Sequence, residues 1–415
     1  MTNDLATDNA YKQHINRLQN EVNRSFGKTV TSIADFEELS EKTRLSTQTL
    51  RRFFGKIDKE KQLSTASLNL LCNYIGFADW QSFCNNTTPA TPTQLREVIN
   101  SFYDTIAFSG ASFFDVKLRD THEAYAPIIL NDLPYAYSFL ERYKNTPKIT
   151  QSLYPWFPYY DYMAQASYVH LIETYLATQP LEHLRVCQNS FLAYGVFCST
   201  KWGDGADSVK KYTTEADKYI ESVWRDYPDS FFHYPETRYT IAKVVLAYLN
   251  NNEQEAIRVA EAALHRNLRA KPLHVFDEEF NTPDILISKL CNALIWMGKV
   301  DFAIEIYSTF SEELFLTKDP VENMSQRFVY ERDTQFAAQT VDMLRLFDPS
   351  IPELVSKRQP HWKTRVYEEI QQLLIDLKRC KKGELSKRLT LKERLRTLAK
   401  QTNFGVIENL IQLFQ

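Results

Sequence analysis

The chain has 415 residues, of which 44% are hydrophobic and 24% are charged, and its formal net charge is −3. This length is ample to bury a core without disulfides, and it suggests two or three domains of an ordinary soluble globular protein. Only 10 glycines are present, which argues against β-rich folds and against nucleotide-binding folds built on glycine-rich phosphate loops.

The first ten residues contain no apolar signal-peptide run, and no stretch reaches the roughly 18 apolar residues of a membrane-spanning helix. Six cysteines are scattered along the chain without a C-x-x-C pair: Cys72, Cys84, Cys187, Cys198, Cys291 and Cys380. We therefore expect reduced thiols in a cytoplasmic protein, with no structural metal and no membrane partner.

The small net charge conceals an uneven distribution along the chain. Residues 1–84 hold 11 basic and 10 acidic side chains, residues 85–356 hold 24 and 36, and residues 357–415 hold 14 and 6. The three segments thus carry net charges of +1, −12 and +8. This split favours a division of labour along the chain, although an acidic surface that serves solubility alone is an alternative.

The N-terminal segment is predicted to form five short helices. A first helix has apolar residues at spacings of three and four, and it ends at Gly27. A second helix is predicted over 32–43, and Ser46 and Ser64 are candidate N-caps of the next two. A short fifth helix contains Trp80. The polar, proline-punctuated stretch 85–92 then predicts a linker between compact units.

The segment Leu39–Arg52, with the sequence LSEKTRLSTQTLRR, resembles the helix-turn-helix of Cro/repressor-type (Xre-like) DNA-binding proteins. The matching residues are Leu39, Ser40, Leu45, Ser46, Thr49, Leu50 and Arg52. Arg44 departs from the pattern, because the family prefers glycine at this position. A left-handed backbone is usual there, and it costs a non-glycine residue about 1 kcal/mol.

The resemblance and the helical spacing together predict a DNA-binding surface. Leu50 and Phe53 point inward, so the outer side of the third helix carries residues that suit the bases of the major groove, because Arg pairs with guanine and Gln with adenine. The predicted DNA-binding residues are Lys42, Arg44, Ser46, Thr47, Gln48, Arg51, Arg52 and Lys56, of which Lys42, Arg44 and Lys56 suit phosphate. The alternative is a small helical module that binds protein, which the net charge of only +1 favours.

Residues 93–356 are predicted to form one helix after another. Helices are predicted over 239–249 and 256–263, and again over 290–297 and 302–310. Both pairs resemble tetratricopeptide (TPR) hairpins, with small residues where the helices cross. The equivalent alanines of the two pairs are 47 residues apart, longer than the roughly 34 residues of the standard repeat, so we expect a degenerate array.

Such an array implies a concave surface for a peptide or protein ligand. A candidate pocket wall is the aromatic stretch at 154–162, because aromatic residues supply a large contact area at low entropic cost. Its residues are Tyr154, Trp156, Phe157, Tyr159, Tyr160 and Tyr162. The alternative interpretation is that these rings pack between hairpins.

Candidate catalytic and metal-binding groups are weak in this sequence. His170 and Glu173 lie one helical turn apart, and Asp277, Glu278 and Glu279 form an acidic run. The segment 202–207 lacks the remaining ligands of a calcium loop, and no G-x-S-x-G motif is present. We therefore predict no enzymatic activity, no metal and no cofactor.

The C-terminal segment 357–415 is predicted to be helical and basic. Three interpretations remain open: it docks on the acidic middle of the same or another chain, it contacts a nucleic-acid backbone, or it is solvated. The predicted fold is thus all-α, with a helix-turn-helix domain at 1–84, a linker at 85–92, a TPR-like array at 93–356 and this segment.

The predicted function is that of a cytoplasmic DNA-binding transcriptional regulator with a sensor or dimerisation domain. Its expected partners are double-stranded DNA, a peptide or protein held by the array, and a second copy of the chain. The alternative is a non-enzymatic protein–protein interaction scaffold whose N-terminal unit does not bind DNA.

Overall fold

The computed structural model describes residues 2–57, 63–85, 92–108, 125–126, 128–130, 132–151, 159–202, 204–271, 273–275, 278–280, 283–310, 336–353, 365–381 and 383–415. These residues are nearly all helical, which confirms the predicted all-α class. The chain forms two compact units, an N-terminal unit of residues 1–141 and a C-terminal unit of residues 142–415. This division differs from the predicted boundaries at 85–92 and 357, and residues 86–91 of the predicted linker lie outside the described residues.

The N-terminal unit begins with five helices that share one apolar core. Its helices are α1 (Thr2–Phe26), α2 (Ile33–Thr43), α3 (Thr47–Phe53), α4 (Thr65–Tyr74), α5 (Trp80–Cys84) and α6 (Pro92–Phe108), and α7 (Leu133–Tyr143) crosses the division. The core side chains Leu18, Val22, Leu39, Leu50 and Leu71 are fully buried. Because each lies on the apolar stripe of its helix, burial of these stripes holds α1 to α4 together.

The start of α2 is fixed by a reciprocal capping box. Asp35 donates its backbone N–H to Ser32 Oγ at 3.1 Å, and Ser32 donates its N–H to Asp35 Oδ2 at 2.8 Å. The Lys28 ammonium lies 2.6 Å from the Asp35 carboxylate and holds its pKa well below the usual range. These bonds satisfy N–H groups that the first turn of a helix leaves without a partner.

The C-terminal unit is a succession of helices with one short β-hairpin. Its helices are α8 (Pro147–Gln151), α9 (Ala166–Thr178), α10 (Glu182–Ser199), α11 (Ala206–Asp226), α12 (His233–Leu249), α13 (Glu253–Arg269), α14 (Pro283–Trp296), α15 (Val300–Phe310), α16 (Arg365–Arg379), α17 (Leu385–Thr402) and α18 (Ile407–Leu413). A 3₁₀ turn spans Tyr160–Tyr162, and residues 336–345 are also helical. The strands β1 (Leu273–Val275) and β2 (Glu278–Phe280) pair antiparallel, with Leu273 opposite Phe280.

Helices α10 to α15 pack as three successive antiparallel pairs. The first helix of each pair contacts both its own partner and the first helix of the next pair: α10 packs on α11 and α12, α12 on α13 and α14, and α14 on α15. Each of the three turns within the pairs contains a left-handed residue, Gly205 (φ +82°), Asn251 (φ +55°) or Gly298 (φ +77°). Each pair therefore buries its apolar face against its neighbour in the stack.

The surface formed by α10, α12 and α14 is covered by later and earlier parts of the same chain. Tyr367 of α16 lies over this surface: its hydroxyl donates to Asn292 Oδ1 at 2.7 Å, and its ring stacks on Trp296 with centroids 4.3 Å apart. Asp161 fixes the start of α16, because its carboxylate accepts the N–H groups of Val366 at 3.1 Å and Tyr367 at 2.9 Å.

The predicted basic C-terminal segment packs within the C-terminal unit. Its buried apolar residues include Leu395, Leu398, Leu410 and Phe414. Arg394 pairs with Glu369 of α16, and Arg396 pairs with Glu408 of α18. Both ion pairs join residues within the segment. The segment contacts earlier parts of the chain through hydrogen bonds from Val406 N to Cys198 O at 3.3 Å and from Asn403 Nδ2 to Ala164 O at 2.7 Å. Among the described helices, none is both long enough and apolar enough to cross a membrane.

Candidate functional site

The turn between α2 and α3 begins with a residue in the left-handed conformation. Arg44 adopts a left-handed conformation with φ +63°, and its N–H donates to Ser40 O at 2.9 Å, which closes the end of α2. Leu45 is buried, and Ser46 Oγ accepts the N–H of Thr49 at 3.0 Å, so that α3 begins at Thr47. Arg44 thus occupies a strained position that glycine usually takes.

The inner side of α3 is fixed by apolar packing. Leu50 and Phe53 are fully buried. The Phe54 ring meets Phe53 edge-on at 4.9 Å and Phe36 of α2 at 6.0 Å. Gln19 of α1 also donates a side-chain hydrogen bond to the Phe53 carbonyl. These contacts leave α3 little freedom to rotate, so its outer side is held in a defined orientation.

The outer side carries the residues predicted to bind DNA. Ser46 and Thr47 at the start of α3 are half-buried, and the other predicted residues are exposed: Lys42, Arg44, Gln48, Arg51, Arg52 and Lys56. All eight belong to one continuous stretch, from the last turn of α2 to just beyond α3. The arrangement offers one amide, two hydroxyls and five cationic groups to a ligand in solvent.

The cations of this surface differ in how far they are neutralised. Lys42 lies 2.8 Å from Glu38 Oε1 and over the Phe26 ring at 4.8 Å, and the pairing with Glu38 raises its pKa. The other four cations, Arg44, Arg51, Arg52 and Lys56, form no side-chain ion pair with any residue that the structure describes. A polyanion would therefore bind these four cations without displacing a carboxylate of the described residues.

The predicted aromatic pocket wall is placed only in part. Tyr154, Trp156 and Phe157 lie outside the described residues. Tyr159 is fully buried and meets Tyr162 edge-on at 6.1 Å. Tyr160 packs against Phe191 at 5.4 Å and Tyr367 at 5.5 Å, beside a cavity of about 20 Å³ that has room for one water. In the structure these rings pack between helices.

The weak metal candidates gain no support from their surroundings. Glu173 accepts hydrogen bonds from Lys211 at 2.9 Å and from Tyr212 at 2.8 Å, while His170 Nδ1 lies 3.8 Å from its carboxylate. Asp277 lies outside the described residues, and Glu278 and Glu279 belong to β2. Within the described ranges, no three His, Cys, Asp or Glu side chains come together as metal ligands.

A groove that sequence reasoning missed lies between α11 and α13, with α12 as its floor. Its volume is about 510 Å³. The lining comes from three consecutive helices and is spread over residues 224–266, so no short sequence motif indicates the groove. The only signal was the composition of α13, where small residues and an arginine share one face: Val259, Ala262, Ala263 and Arg266.

No family model matches the chain, and neither a curated protein nor a solved structure matches it. The resemblance to Cro/repressor-type proteins is therefore carried by residues 39–52 and by the left-handed backbone at Arg44.

Proposed function

We propose that the chain is a DNA-binding transcriptional regulator in which α3 reads double-stranded DNA. The observation that carries the proposal is the pairing of a left-handed Arg44 with the N-cap Ser46. This pairing sets the entry of α3 so that its apolar side is buried and its polar, cationic side faces solvent. The proposal assigns the chain no catalytic activity and a cytoplasmic location.

In this proposal the residues of α3 and its flanks divide into two groups. Gln48, Arg51 and Arg52 contact base edges in the major groove, where Arg recognises guanine and Gln recognises adenine. Arg44 and Lys56, at the two ends of the exposed row, contact phosphates and fix the register of the helix. Lys42 contributes less, because its charge is shared with Glu38.

The C-terminal unit supports a sensing and dimerising role in the same proposal. Its paired helices stack in the manner of a repeat array, and such arrays present large surfaces to ligands. A homodimer would set two copies of α3 about one DNA turn, roughly 34 Å, apart on a pseudo-palindrome. The peptide or protein partner expected from the sequence would bind this unit.

DNA binding is tested by titrating the full chain onto double-stranded genomic fragments at several salt concentrations, with fluorescence anisotropy as the readout. The wild type should lose affinity steeply with salt as counterions return to the phosphates. Arg51→Ala/Arg52→Ala should lose about 1–3 kcal/mol for each broken base contact. Lys12→Ala/Arg24→Ala is the matched control, because it removes two exposed cations from α1.

The two candidate functions give different outcomes in this titration. A response that is flat with salt, and that Arg51→Ala/Arg52→Ala leaves unchanged, would overturn DNA binding and favour the interaction scaffold. If Arg51→Ala/Arg52→Ala and Lys12→Ala/Arg24→Ala lost equal DNA affinity, the loss would be explained by net charge alone. Both double variants are expected to fold, since all four side chains lie outside the core.

A further inference from the structure

The groove over α12 is open because its two walls belong to different hairpins. Trp224 of α11 forms one wall, Arg258 and Ala262 of α13 form the other, and Tyr239 and Lys243 of α12 lie on the floor. The volume of about 510 Å³ falls within the range of roughly 300–1,000 Å³ that small-molecule sites occupy. The opposite surface, formed by α10, α12 and α14, is closed by Tyr160 and Tyr367, whereas this groove has no cover among the described residues.

One end of the groove is built around a buried carboxylate. Glu236 is 3% exposed and accepts three hydrogen bonds: from Phe232 N at 2.7 Å, from Trp224 Nε1 at 2.8 Å and from Arg266 Nε at 2.8 Å. Arg266 also donates to the carbonyls of Tyr227 at 3.0 Å and Ser230 at 2.8 Å. This network satisfies the negative charge of Glu236 and holds the Trp224 ring at the groove, although that side chain remains 38% exposed.

The other end of the groove carries two cationic side chains that have unused hydrogen-bond donors. Arg258 engages Glu255 through Nε and one terminal nitrogen, both at 2.7 Å, which leaves its second terminal nitrogen for another acceptor. Lys243 donates to both oxygens of Asp217 at 3.1 and 3.2 Å, and its ammonium lies 5.9 Å from the centre of the Tyr239 ring.

The cations of the groove lie in an acidic part of the chain. Residues 85–356 carry a net charge of −12, yet the groove lining has three cations, Lys243, Arg258 and Arg266, against the carboxylates Glu236 and Glu255. Each of these cations has a carboxylate partner, Lys243 with Asp217, Arg258 with Glu255 and Arg266 with Glu236. The groove therefore offers an anion the N–H donors that the pairs of Lys243 and Arg258 leave unused. Between them lie apolar surfaces of Trp224, Tyr239, Val259, Ala262 and Ala263.

We propose that this groove binds an amphipathic organic anion. Its aromatic or aliphatic body would lie between Trp224 and the alanines of α13, and its carboxylate, sulfonate or phosphate group would contact Arg258 and Lys243. The inference names the ligand class of the sensing role proposed for the C-terminal unit, and it does not depend on DNA binding by α3.

The test compares two probes that share a naphthalene body and differ in charge: anilinonaphthalene sulfonate, an anion, and its uncharged counterpart N-phenyl-1-naphthylamine. Each is titrated by fluorescence onto the full wild-type chain. We expect saturable binding with the anion about tenfold tighter, which is the gain of a charge-assisted hydrogen bond. Lys243→Met/Arg258→Met should abolish this preference and leave the affinity for the uncharged probe unchanged.

A second variant tests the location of the site without touching a charge. Ala262 is exposed and lines the groove, so Ala262→Trp fills it with an indole ring. The variant should weaken the binding of both probes about tenfold or more, because the indole occupies the volume that the naphthalene body needs. Gln254→Trp, exposed on the same helix but outside the lining, is the matched control and should change neither affinity. The anionic probe should also raise the melting temperature, because a ligand of the native state stabilises it, whereas dye uptake by a loosened core would lower it.

The inference is overturned if the wild type binds both probes equally, if Ala262→Trp leaves both affinities unchanged, or if the anion lowers the melting temperature. Since the titration contains no DNA, its failure is distinguishable from that of the proposed function. Lost DNA binding with intact probe binding overturns only the DNA-binding role.

Discussion

Arg44 donates its backbone N–H to the carbonyl oxygen of Ser40 at 2.9 Å while its own φ is +63°, so a long charged residue ends α2 in a left-handed conformation. The backbone of an L-residue is strained there by about 1 kcal/mol. An arginine at this position therefore stabilises the fold less than a glycine would. The exposed guanidinium at the start of the α3 surface is a physical reason for its presence.

Arg44→Gly is expected to separate stability from DNA binding. The free energy of unfolding should rise by up to about 1 kcal/mol as the left-handed strain is relieved. The affinity for DNA should fall, and the slope of its logarithm against log salt should become shallower by about one phosphate contact. Chemical denaturation and the salt titration measure the two effects on the same preparation.

Gly55→Ala supplies the control for the strain argument. Gly55 has φ +69°, and a Cβ added there meets no atom within 4 Å, so the substitution introduces strain without a clash. It should lower the free energy of unfolding by about 1 kcal/mol. If Arg44→Gly and Gly55→Ala shifted stability in the same direction, left-handed strain would not explain either change.

Gly195 is expected to be irreplaceable within α10 for a different reason. A Cβ at this position would lie 2.3 Å from the backbone oxygen of Met163, which cannot move aside as a flexible side chain could. Gly195→Ala should therefore cost about 1–3 kcal/mol, although alanine is the better helix former. Gly383→Ala, where the added Cβ meets nothing within 4 Å, should be close to neutral in the same denaturation experiment.

Asp161 is expected to hold α16 against the hairpin stack. Its carboxylate accepts the N–H groups of Val366 and Tyr367 across some two hundred residues of sequence. Asp161→Ala should cost about 1–3 kcal/mol and should raise hydrogen exchange at these two amides first, because both lose their acceptor. Ser64→Ala, which removes the local cap of α4, is the control and should leave exchange in α16 unchanged.

The parts of the fold that the sequence predicts are those specified by neighbouring residues. Ser46 lies before an apolar stripe, so the start of α3 and the burial of Leu50 follow from capping and helical spacing. Gly298 is a turn signal between two periodic stretches, so the α14–α15 pair is predictable in the same way.

The parts that escape prediction depend on residues distant in sequence. The sequence leaves Tyr160 open between a pocket wall and packing between hairpins, and it does not predict the contact with Tyr367, which lies about two hundred residues later. The paired strands at 273–275 and 278–280 have too few residues for a period-two pattern to appear. The groove between Trp224 and Arg258 arises only when two hairpins stack, and no spacing within either helix encodes that arrangement.

His183 is expected to make the stability of the C-terminal unit depend on pH. Burial near the Phe232 ring lowers the pKa of His183 to about 4, only partly opposed by attraction to Asp226. The ordinary value is about 6.5, so below pH 6.5 the unfolded chain binds a proton that the folded chain does not. The free energy of unfolding should therefore fall as the pH drops from about 6.5 to about 4, by on the order of 2 kcal/mol.

His183→Phe should remove this contribution, because the ring is kept and the titrating group is lost. Urea denaturation at pH 7.5 and pH 4.5 measures it: the difference in stability between the two pH values should be smaller in the variant than in the wild type. His170→Gln, at a position whose side chain is 70% exposed, is the matched control and should retain the wild-type difference. If His183→Phe showed the same difference in stability between the two pH values as the wild type, His183 would not be the titrating group. The effect would then be assigned to carboxylates, since their protonation also lowers stability in acid.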